Sequence, residues 1–402
     1  MSESPPISAS KMLLLGVGWL GPQFFWGFHS AAMPLFLRNF TDSKFTIMLV
    51  YSLAGVTGCV VPPVVGYLSD RSSSRFGRRR PFIFMGILGV LLCVLGLPHV
   101  NAFGAVALVA GLMYLCLRFA ETPYLSLLPD ITPPRQRSTA SGVMNMIGSV
   151  GLITYFIIGS RIWDRHPTMV FIIVALVCFA AMTFAIVLIR EPSSPYQKST
   201  EPTLPLSYLK SIVSETNALK FYLAQFFWWL GFWMISSFLT LFLVEELGVS
   251  GGNAQLVPMV FAVVSVIFVL PLGILGDRIG RKGILSVMLG VWAVMGVIMG
   301  LSQNFWQAMV FVGVTGIPFA AIMGVGYAYM LDLIPQDRTA EFVGFSIISI
   351  ALTQIIGPVT GGRLVDALGY RPLFPCAAAL MVVGLILLQF TQPRPSAVVI
   401  SK

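Results

Sequence analysis

Residues Gly66–Pro81 read GYLSDRSSSRFGRRRP, and a shorter copy of this stretch, GILGDRIGRK, occupies Gly273–Lys282. Each copy lies between long apolar segments and combines an acidic residue, glycine and several basic residues. A basic hairpin that recurs once in each half of an apolar chain predicts a protein that crosses a membrane many times and was built from two similar halves. This organisation favours transport over the other classes of function.

The composition supports a membrane protein. The chain has 402 residues, of which 56% are hydrophobic and 10% charged, and its mean hydropathy is +0.86. Soluble domains carry about 25% charged residues, and a spanning helix needs about 20 apolar residues. The sequence therefore predicts an all-α membrane protein with twelve transmembrane helices in two pseudo-symmetric six-helix bundles. The predicted spans are 12–37, 45–68, 81–98, 103–129, 138–160, 168–189, 219–244, 254–276, 283–302, 307–331, 339–361 and 372–391.

An internal repeat relates the two halves. Its equivalent residues lie 202 positions apart, and the two basic hairpins align at 203 through Gly77 and Gly280, with a four-residue insertion at 72–75. Matches in the same order at nearly one offset indicate duplication of a six-helix unit. The matched pairs are Gln23 with Gln225, Asp130 with Asp332, and Arg161 with Arg363.

The repeat also predicts the domain boundaries. We expect an N-terminal six-helix bundle at 1–189, a cytoplasmic linker at 190–218 and a C-terminal six-helix bundle at 219–402. The linker is the longest polar segment and contains several prolines.

The positive charge is distributed unevenly between the predicted loops. The net charge is +9, and most of the 25 lysines and arginines fall in loops on one side of the predicted membrane. This asymmetry sets orientation in a bilayer and argues against a nucleic-acid partner. It predicts that both termini are cytoplasmic, and the short loops favour a bacterial inner membrane. The first ten residues are polar and precede a helix too long for a signal peptide, so we expect no cleavage.

Enzymatic and metal-binding motifs are missing from the sequence. The five cysteines fall in apolar segments without the spacing of metal ligands. There is no phosphate-binding loop of the G-x-x-x-x-G-K-[ST] type and no arrangement typical of a catalytic triad. We expect no enzyme activity, no cofactor and no bound metal.

Three ionisable side chains lie inside predicted spans: His29 in the first, and Arg118 and Glu121 in the fourth. A charge at the centre of a membrane helix costs about 2.5–3.5 kcal/mol on insertion scales, so such groups are candidates for function. Residues three apart share a helix face, which allows Arg118 and Glu121 to pair. We predict that these three residues couple transport to a proton, which Glu121 takes up. The alternatives are a purely structural ion pair and, for His29, a hydrogen-bonded packing role.

Aromatic and amide side chains recur near these groups and on the seventh span. Sugars have apolar faces that pack on rings and hydroxyls that need amides or charged groups, which makes these residues candidates for binding a substrate. The alternative for the tryptophans is an interfacial aromatic belt. The predicted substrate-binding set comprises Gln23, Trp26, Arg118, Gln225, Trp228, Trp229, Trp233 and Tyr327.

The hairpin charges predict a cytoplasmic gate. Carboxylates at the mouth of one helix can pair with a helix N-terminus or with basic residues, and such contacts can hold in one conformation and break in another. The alternative is that these charges only orient the helices. The predicted gate comprises Asp70, Arg71, Arg75, Gly77, Arg78, Arg79, Asp130, Arg137, Asp277, Arg278, Arg281, Asp332 and Arg338.

Two six-helix halves with a D-R-x-G-R-[RK] hairpin after the second span of each resemble the major facilitator superfamily. The enlarged first hairpin, S-D-R-x-x-x-R-x-G-R-R-x-P, with Gly18-Trp19 and the Leu127–Asp130 run, resembles the sucrose symporters and the wider glycoside–pentoside–hexuronide cation symporter group. The superfamily resemblance implies alternating access and a central cavity lined by the first, fourth, seventh and tenth spans. The rarer polar residues of this chain lie on those four spans.

Two departures qualify the symporter resemblance. Sodium-coupled symporters of the melibiose type carry aspartates in the second span, whereas this span has no acid between residues 45 and 68, which disfavours sodium. Plant sucrose symporters place an acid where this chain has Tyr114, so the coupling site has moved to Glu121 or coupling is absent.

A glycine motif near the end of the eleventh span resembles one found in drug exporters. Residues Gly357–Gly362 match the pattern G-P-x-x-G-G, which lies in the fifth span of those exporters. Its different position here favours a role in helix packing.

The sequence thus predicts a monomeric, proton-coupled symporter of a sugar, either a disaccharide or a glycoside, that works by alternating access. Two alternatives stay open. One is a proton-coupled exporter of amphipathic molecules, suggested by the aromatic residues and the 19 methionines. The other is a membrane scaffold or sensor with the same fold. The expected partners are a small-molecule substrate, the proton and membrane lipid.

Overall fold

The computed structural model describes residues 7–72, 74, 76–189, 215–335 and 339–392. Within these ranges the regular structure is helical and contains no strand. A π-helical turn occupies Ile322–Gly326. The α-helices are α1 (Ala9–Leu37), α2 (Lys44–Arg71), α3 (Arg80–Gly96), α4 (Phe103–Ile131), α5 (Arg137–Ile162), α6 (Pro167–Leu188), α7 (Thr216–Ser236), α8 (Leu239–Glu245), α9 (Gly251–Ala254), α10 (Leu256–Ile279), α11 (Arg281–Gly300), α12 (Phe305–Ala321), α13 (Tyr327–Leu333), α14 (Thr339–Leu368) and α15 (Leu373–Gln389).

Twelve membrane spans follow from these helices, as predicted. Over the described residues, ten segments have the length and hydropathy to cross a membrane, and three of them join two helices: α7 with α8, α9 with α10, and α12 with α13. The 29-residue α1 and the 17-residue α15 complete the set. α1 carries the polar side chains of Gln23, Trp26 and His29.

The tenth span departs from a single regular helix. The sequence predicts one helix over 307–331, whereas α12 ends at Ala321 and a π-helical turn precedes α13. Pro318 lies inside α12 and has no N–H to donate to the preceding turn. Such π-helical turns occur mostly as local insertions in α-helices and are frequent at functional sites.

The described residues form two compact units, residues 7–189 with 237–259 and residues 215–236 with 260–392. The predicted division at 190–218 stays a prediction, because residues 190–214 lie outside the described part of the chain. Residues 237–259 pack with the first unit through Glu245, which accepts from Lys44 Nζ at 2.8 Å and pairs with Arg38 Nε at 3.0 Å. Asp164 Oδ1 accepts from the Gly252 amide at 2.8 Å.

Glycines allow α1 and α5 of the first unit to approach closely. A Cβ at Gly151 would lie 2.5 Å from the carbonyl oxygen of Leu20, and a Cβ at Gly148 would lie 2.6 Å from Trp19 Cδ1 and 3.0 Å from Gln23 Cγ. Small residues at such crossings are typical of helix packing in membranes. Packing of α5 therefore fixes the height and rotation of α1, which carries part of the candidate site.

Replacing Gly151 by alanine is expected to destabilise the protein, because a backbone carbonyl cannot move aside as a side chain can. Overpacking typically costs about 1–3 kcal/mol. Gly142 on the same helix has no atom within 4 Å of a Cβ position, so Gly142→Ala is the matched control and should be neutral or slightly stabilising because alanine favours helix. Thermal unfolding in detergent measures both. Equal melting temperatures for the two variants would contradict the close crossing.

Candidate functional site in the first unit

A buried carboxylate lies at the centre of the candidate site. Glu121 on α4 is 2% exposed, and its two oxygens have different partners. Oε1 accepts a hydrogen bond from Trp26 Nε1 of α1 at 2.6 Å, and Oε2 accepts one from Arg118 Nη1 at 3.0 Å. The structure therefore brings together Trp26, Arg118 and Glu121, three residues that the sequence singles out.

Arg118 makes a second contact in addition to its ion pair with Glu121. Its guanidinium carbon lies 4.5 Å from the centre of the Trp26 ring, a cation–π contact. Gly58 on α2 faces the same group, since a Cβ there would lie 3.2 Å from Arg118 Nη2. The Arg118 side chain keeps 23% exposure, and its buried Nε has no hydrogen-bond partner among the described residues. The guanidinium can thus keep its position on the ring when its bond to the carboxylate is broken.

His29 lies beside this group in a cage of aromatic rings. Its Nδ1 shares a hydrogen bond with the Tyr114 hydroxyl at 2.9 Å. The imidazole stacks on Tyr51 of α2 with ring centres 4.1 Å apart and contacts the edge of Trp26 at 5.2 Å. Since Trp26 also donates to Glu121, contacts run from His29 through Trp26 to the carboxylate. His29 therefore belongs to the same cluster as the acid, as the hypothesis of a joint role requires.

Replacing Tyr114 by phenylalanine is expected to destabilise this cage, because His29 loses its hydroxyl partner in a buried position. An unsatisfied buried group costs about 1–3 kcal/mol. Tyr51 is the matched control, since its buried hydroxyl has no hydrogen-bond partner among the described residues, and Tyr51→Phe should change stability much less. Thermal unfolding of the two variants tests this difference, and an equal loss in both would show that the hydrogen bond to His29 is unimportant.

The predicted substrate-binding residues of the second unit form a separate, mainly buried cluster. Gln225 Nε2 donates to Ser346 Oγ of α14 at 2.8 Å, and Trp228 is 1% and Trp229 5% exposed. Trp229 packs against Phe319, with ring centres 5.9 Å apart. Gln225, Trp228 and Trp229 therefore belong to the core of this unit in the described conformation.

Two other members of the predicted set are more accessible. Tyr327 at the start of α13 is 53% exposed, and Trp233 is half-buried. Gly357 packs on this part of α7, where a Cβ would lie 3.0 Å from Trp233 Cβ, so the glycine motif of the eleventh span takes part in helix packing. In the first unit, Gln23 and Trp26 are half-buried. Among the predicted substrate-binding residues, those that are not buried are thus Gln23, Trp26, Arg118, Trp233 and Tyr327.

Charged side chains of the first basic hairpin form a closed cluster. Arg79 bridges two acids, Asp70 Oδ1 at 3.1 Å and Asp130 Oδ2, and Arg78 Nη2 reaches the same Asp130 oxygen at 2.9 Å. The Arg79 side chain is only 7% exposed. These contacts join the end of α2, the start of α3 and the end of α4 within one unit.

The second unit repeats this arrangement around Arg281. Its Nη2 lies 2.8 Å from Asp277 Oδ1 and its Nη1 2.8 Å from Asp332 Oδ1, while the side chain is 33% exposed. Arg281 therefore corresponds to Arg79 of the first unit, which lies 202 positions earlier in the chain. The register of 203 predicted through the glycines is therefore one residue off for the arginines, because Gly77 and Arg79 lie two residues apart whereas Gly280 and Arg281 are adjacent.

A second pair of cations confirms the register of 202. Arg80 Nη2 donates to the Ile189 carbonyl after α6, and Lys282 Nζ donates to the Thr391 carbonyl after α15 at 2.7 Å. Lys282 lies 202 positions after Arg80, and Thr391 lies 202 positions after Ile189. In each unit, a cation at the start of one helix therefore binds a carbonyl that follows another helix of the same unit, α6 in the first and α15 in the second.

The other predicted gate residues have varied surroundings. Arg71 lies over the Tyr67 ring at 3.5 Å, and Arg137 donates to the carbonyls of Thr132 and Pro129 at the end of α4. Arg278 is exposed. Gly77 and Gly280 have positive φ angles of 110° and 106°, a conformation that favours glycine. Arg75 and Arg338 lie outside the described residues.

Sequence reasoning missed Tyr51 and the role of Tyr114. Tyr114, Arg118 and Glu121 follow at spacings of four and three, so they share one face of α4, and this periodicity was a usable signal. Tyr51 carries no comparable signal, because it is one aromatic residue among the apolar residues of α2. Its stacking on His29 depends on how α2 packs against α1.

The repeated six-helix pattern and the polar cluster inside it define a multi-pass membrane transporter, not an enzyme. The family model described as "Major Facilitator Superfamily" matches residues 22–242 and 221–402. The chain belongs to the major facilitator superfamily.

Relatives within the family differ in the function that their names state. The chain is 28% identical to the sucrose transport protein SUC3 of Arabidopsis thaliana over 35% of this chain and 27% of the relative. It is 30% identical to the multidrug resistance protein MdtG of Yersinia enterocolitica over 48% of this chain and 47% of the relative. The chain thus spans less than half the length of the curated relatives it matches.

Solved structures share the fold over nearly the whole chain. The nucleoside transporter NupG superposes with a TM-score of 0.79 at 14% identity, covering 95% of this chain and 98% of NupG. A bacterial homologue of the human lysosomal transporter Spinster superposes with a TM-score of 0.78 at 15% identity, covering 97% of both chains. At this identity the likeness concerns the fold alone.

Proposed function

We propose that this protein is a proton-coupled symporter of a sugar, either a disaccharide or a glycoside, that works by alternating access. The observation that carries the proposal is the buried Glu121 carboxylate, whose oxygens bind Trp26 and Arg118 separately. The similarity to a sucrose transport protein supports the sugar class. We further propose a monomer in a bacterial inner membrane with both termini in the cytoplasm.

The arrangement gives proton uptake a defined consequence. A proton on Glu121 Oε2 neutralises the carboxylate and removes the ion pair, while Oε1 keeps the Trp26 bond. Arg118 is then held by the Trp26 ring and can donate to the hydroxyls of a substrate. Release of the proton restores the ion pair and competes with the substrate for Arg118. Proton binding and sugar binding therefore favour each other, which is the requirement for symport.

Trp26 connects the two events. Its indole N–H donates a hydrogen bond to Glu121, and its ring makes a cation–π contact with Arg118. The half-buried ring offers an apolar surface to the apolar face of a sugar. A substrate that stacks on Trp26 thus lies within reach of the guanidinium.

Uptake of labelled sucrose and maltose into proteoliposomes tests the proposal. We expect accumulation with an inward proton gradient, and none with an inward sodium gradient alone, since α2 carries no acid inside its predicted span. Failure of a broad panel of sugars to be taken up or to stabilise the purified protein would contradict the sugar class.

A second candidate is the export of amphipathic molecules. The similarity to MdtG and the aromatic cluster around Trp229 favour it. Competition separates the two candidates: displacement of a bound fluorescent substrate by tetraphenylphosphonium but not by sucrose would favour export. A protein that responds to neither class would favour the scaffold or sensor.

A further inference from the structure

One edge of the Arg118 guanidinium has no hydrogen-bond partner within the described part of the chain. Nη1 donates to Glu121 Oε2 at 3.0 Å, whereas Nε is buried without a hydrogen-bond partner. Nη2, which forms the other edge together with Nε, makes no hydrogen bond to another described residue. Buried donors in folded proteins are normally satisfied by protein, by water or by a ligand. This edge therefore points to a ligand that supplies acceptors.

A glycine of α2 leaves this edge uncovered. A Cβ at Gly58 would lie 3.2 Å from Arg118 Nη2 and 3.4 Å from both Cζ and Nε. These nearly equal distances place Gly58 against the flat face of the guanidinium, with no side chain to cover the edge. The Arg118 side chain is 23% exposed, so a solute can reach the group. Two N–H groups on one edge of a guanidinium match the two oxygens of a carboxylate.

The charge around Arg118 depends on one acid. Glu121 supplies the one carboxylate inside the predicted spans of residues 1–189. The other titratable groups around the pair cannot replace it, because histidine, tyrosine and cysteine supply little or no negative charge near neutral pH. These groups are His29, Tyr51, Cys59, Tyr114 and Cys178. A proton on Glu121 therefore leaves Arg118 without a counter-charge among them, which is unfavourable for a partly buried cation.

A substrate with its own negative charge removes this imbalance. In the protonated state, its carboxylate replaces Glu121 as the counter-charge of Arg118. In the deprotonated state, Glu121 pairs with Arg118 and repels the same carboxylate. The proton and such a substrate therefore bind together, and their coupling is stronger than for a neutral sugar, whose hydroxyls Glu121 does not repel.

We propose that the preferred substrate of this site is a sugar derivative with a carboxylate, which binds the Nε–Nη2 edge of Arg118 while its sugar part packs on Trp26. This inference rests on the proposed function and specifies its substrate class. The guanidinium carbon and the centre of the Trp26 ring are 4.5 Å apart, so one small molecule can contact both. One proton and one monovalent anion carry no net charge together, so transport of this substrate does not respond to membrane potential.

Lactobionate and lactitol are a matched pair of probes, because these two disaccharide derivatives differ by a carboxylate in place of a hydroxymethyl group. Thermal unfolding of the purified protein at mildly acidic pH gives the half-saturating concentration of each. We expect a value about tenfold lower for lactobionate, or ~1.4 kcal/mol, because charge-assisted hydrogen bonds are roughly twice as strong as neutral ones. Acetate, a carboxylate without a sugar, should not stabilise the protein over the same concentrations. Equal values for lactobionate and lactitol, or equal stabilisation by acetate, would overturn the proposal.

Uptake into proteoliposomes tests the charge balance. We expect an inward proton gradient to drive accumulation of labelled lactobionate, and an inside-negative potential set by potassium and valinomycin to leave it unchanged. The same potential should increase uptake of lactitol, since a proton with a neutral sugar carries a positive charge. Lactobionate uptake that rises with the potential contradicts the electroneutral pairing.

Two variants locate the preference at Arg118. Arg118→Gln should bring the ratio of the two half-saturating concentrations from about ten to about one, because the charge-assisted bond is lost. Gly58→Ala should reduce the ratio about threefold, because the guanidinium must shift and a bidentate contact depends on its geometry. Gly66→Ala is the matched control, since no atom lies within 4 Å of a Cβ there, and it should keep the wild-type ratio.

The outcomes separate this inference from the proposed function. A tenfold ratio retained in Arg118→Gln, or the same ratio in Gly58→Ala and Gly66→Ala, would show that the carboxylate does not bind this edge. Proton-driven accumulation of lactitol without binding of lactobionate would overturn the inference and leave the proposed function standing. A protein that neither binds nor accumulates either probe would contradict both.

Discussion

Replacing Glu121 by glutamine is expected to abolish proton-driven accumulation of substrate while exchange of substrate across the membrane continues. Glutamine has nearly the shape of glutamate, and its oxygen can still accept from Trp26 Nε1. It cannot take up or release a proton. The variant therefore keeps the framework of the site and loses the group that we propose to carry the coupling proton.

The size of this effect follows from the driving force. A gradient of one pH unit is worth about 1.4 kcal/mol, or about tenfold accumulation for one proton per sugar. Without coupling, the internal and external concentrations become equal, so the accumulation ratio should fall from about ten to about one. Counterflow, in which preloaded sugar exchanges with labelled sugar at equal pH, should persist because it needs no net proton movement.

Radiolabelled uptake into proteoliposomes measures both activities. Glu246→Gln is the control, since Glu246 is an exposed acid of the same unit and its loss should leave accumulation unchanged. A Glu121→Gln protein that still concentrates sugar tenfold would remove Glu121 from the coupling step. Loss of counterflow together with accumulation would instead indicate damage to the binding site.

Replacing Arg79 by alanine is expected to destabilise the protein much more than the equivalent change at Arg281. Both arginines bridge two acids, but the Arg79 side chain is 7% exposed and that of Arg281 33%. Removing one partner of a buried charge cluster costs about 3–5 kcal/mol, whereas exposed pairs contribute about 0–1 kcal/mol. The partners of Arg79 are themselves partly exposed, so we expect a loss of about 2–3 kcal/mol, between the value for exposed pairs and the range for buried ones.

Melting temperatures of the two variants test this difference. At about 2–4 °C per kcal/mol for a unit of this size, Arg79→Ala should lower the melting temperature by roughly 4–12 °C and Arg281→Ala by roughly 0–4 °C. Arg278→Ala, which removes an exposed arginine beside Asp277, is the control and should be nearly neutral. Equal losses at Arg79 and Arg281 would mean that burial does not determine the strength of these clusters.

The fold could be predicted from the sequence because its signals are long and repeated. Apolar segments of about 20 residues predict spans in any packing arrangement, and the duplicated hairpins indicate the two halves. The details that failed are local. The π-helical turn before Tyr327 interrupts a mainly apolar span that the sequence predicts as one helix. The register at Arg79 and Arg281 differs from that of the glycines because the spacing between glycine and arginine is not the same in the two hairpins.

The candidate site could be predicted only in part. Arg118 and Glu121 are conspicuous because charges in a span are costly, and their spacing predicts the pair that the structure shows. The partners on other helices could not be predicted, since Trp26 and Tyr51 reach Glu121 and His29 through packing between spans. Trp228 illustrates the opposite case: its position at mid-helix suggested a binding surface, but its ring is buried in the core of the second unit.

The most direct test of the coupling role of Glu121 is proton movement driven by sugar alone. Proteoliposomes that contain a pH-sensitive dye and have equal pH on both sides are given external sucrose. We predict that the lumen becomes acidic with the wild-type protein and that Glu121→Gln admits labelled sucrose without acidification. Sucrose entry accompanied by acidification at the wild-type rate in Glu121→Gln would contradict the account.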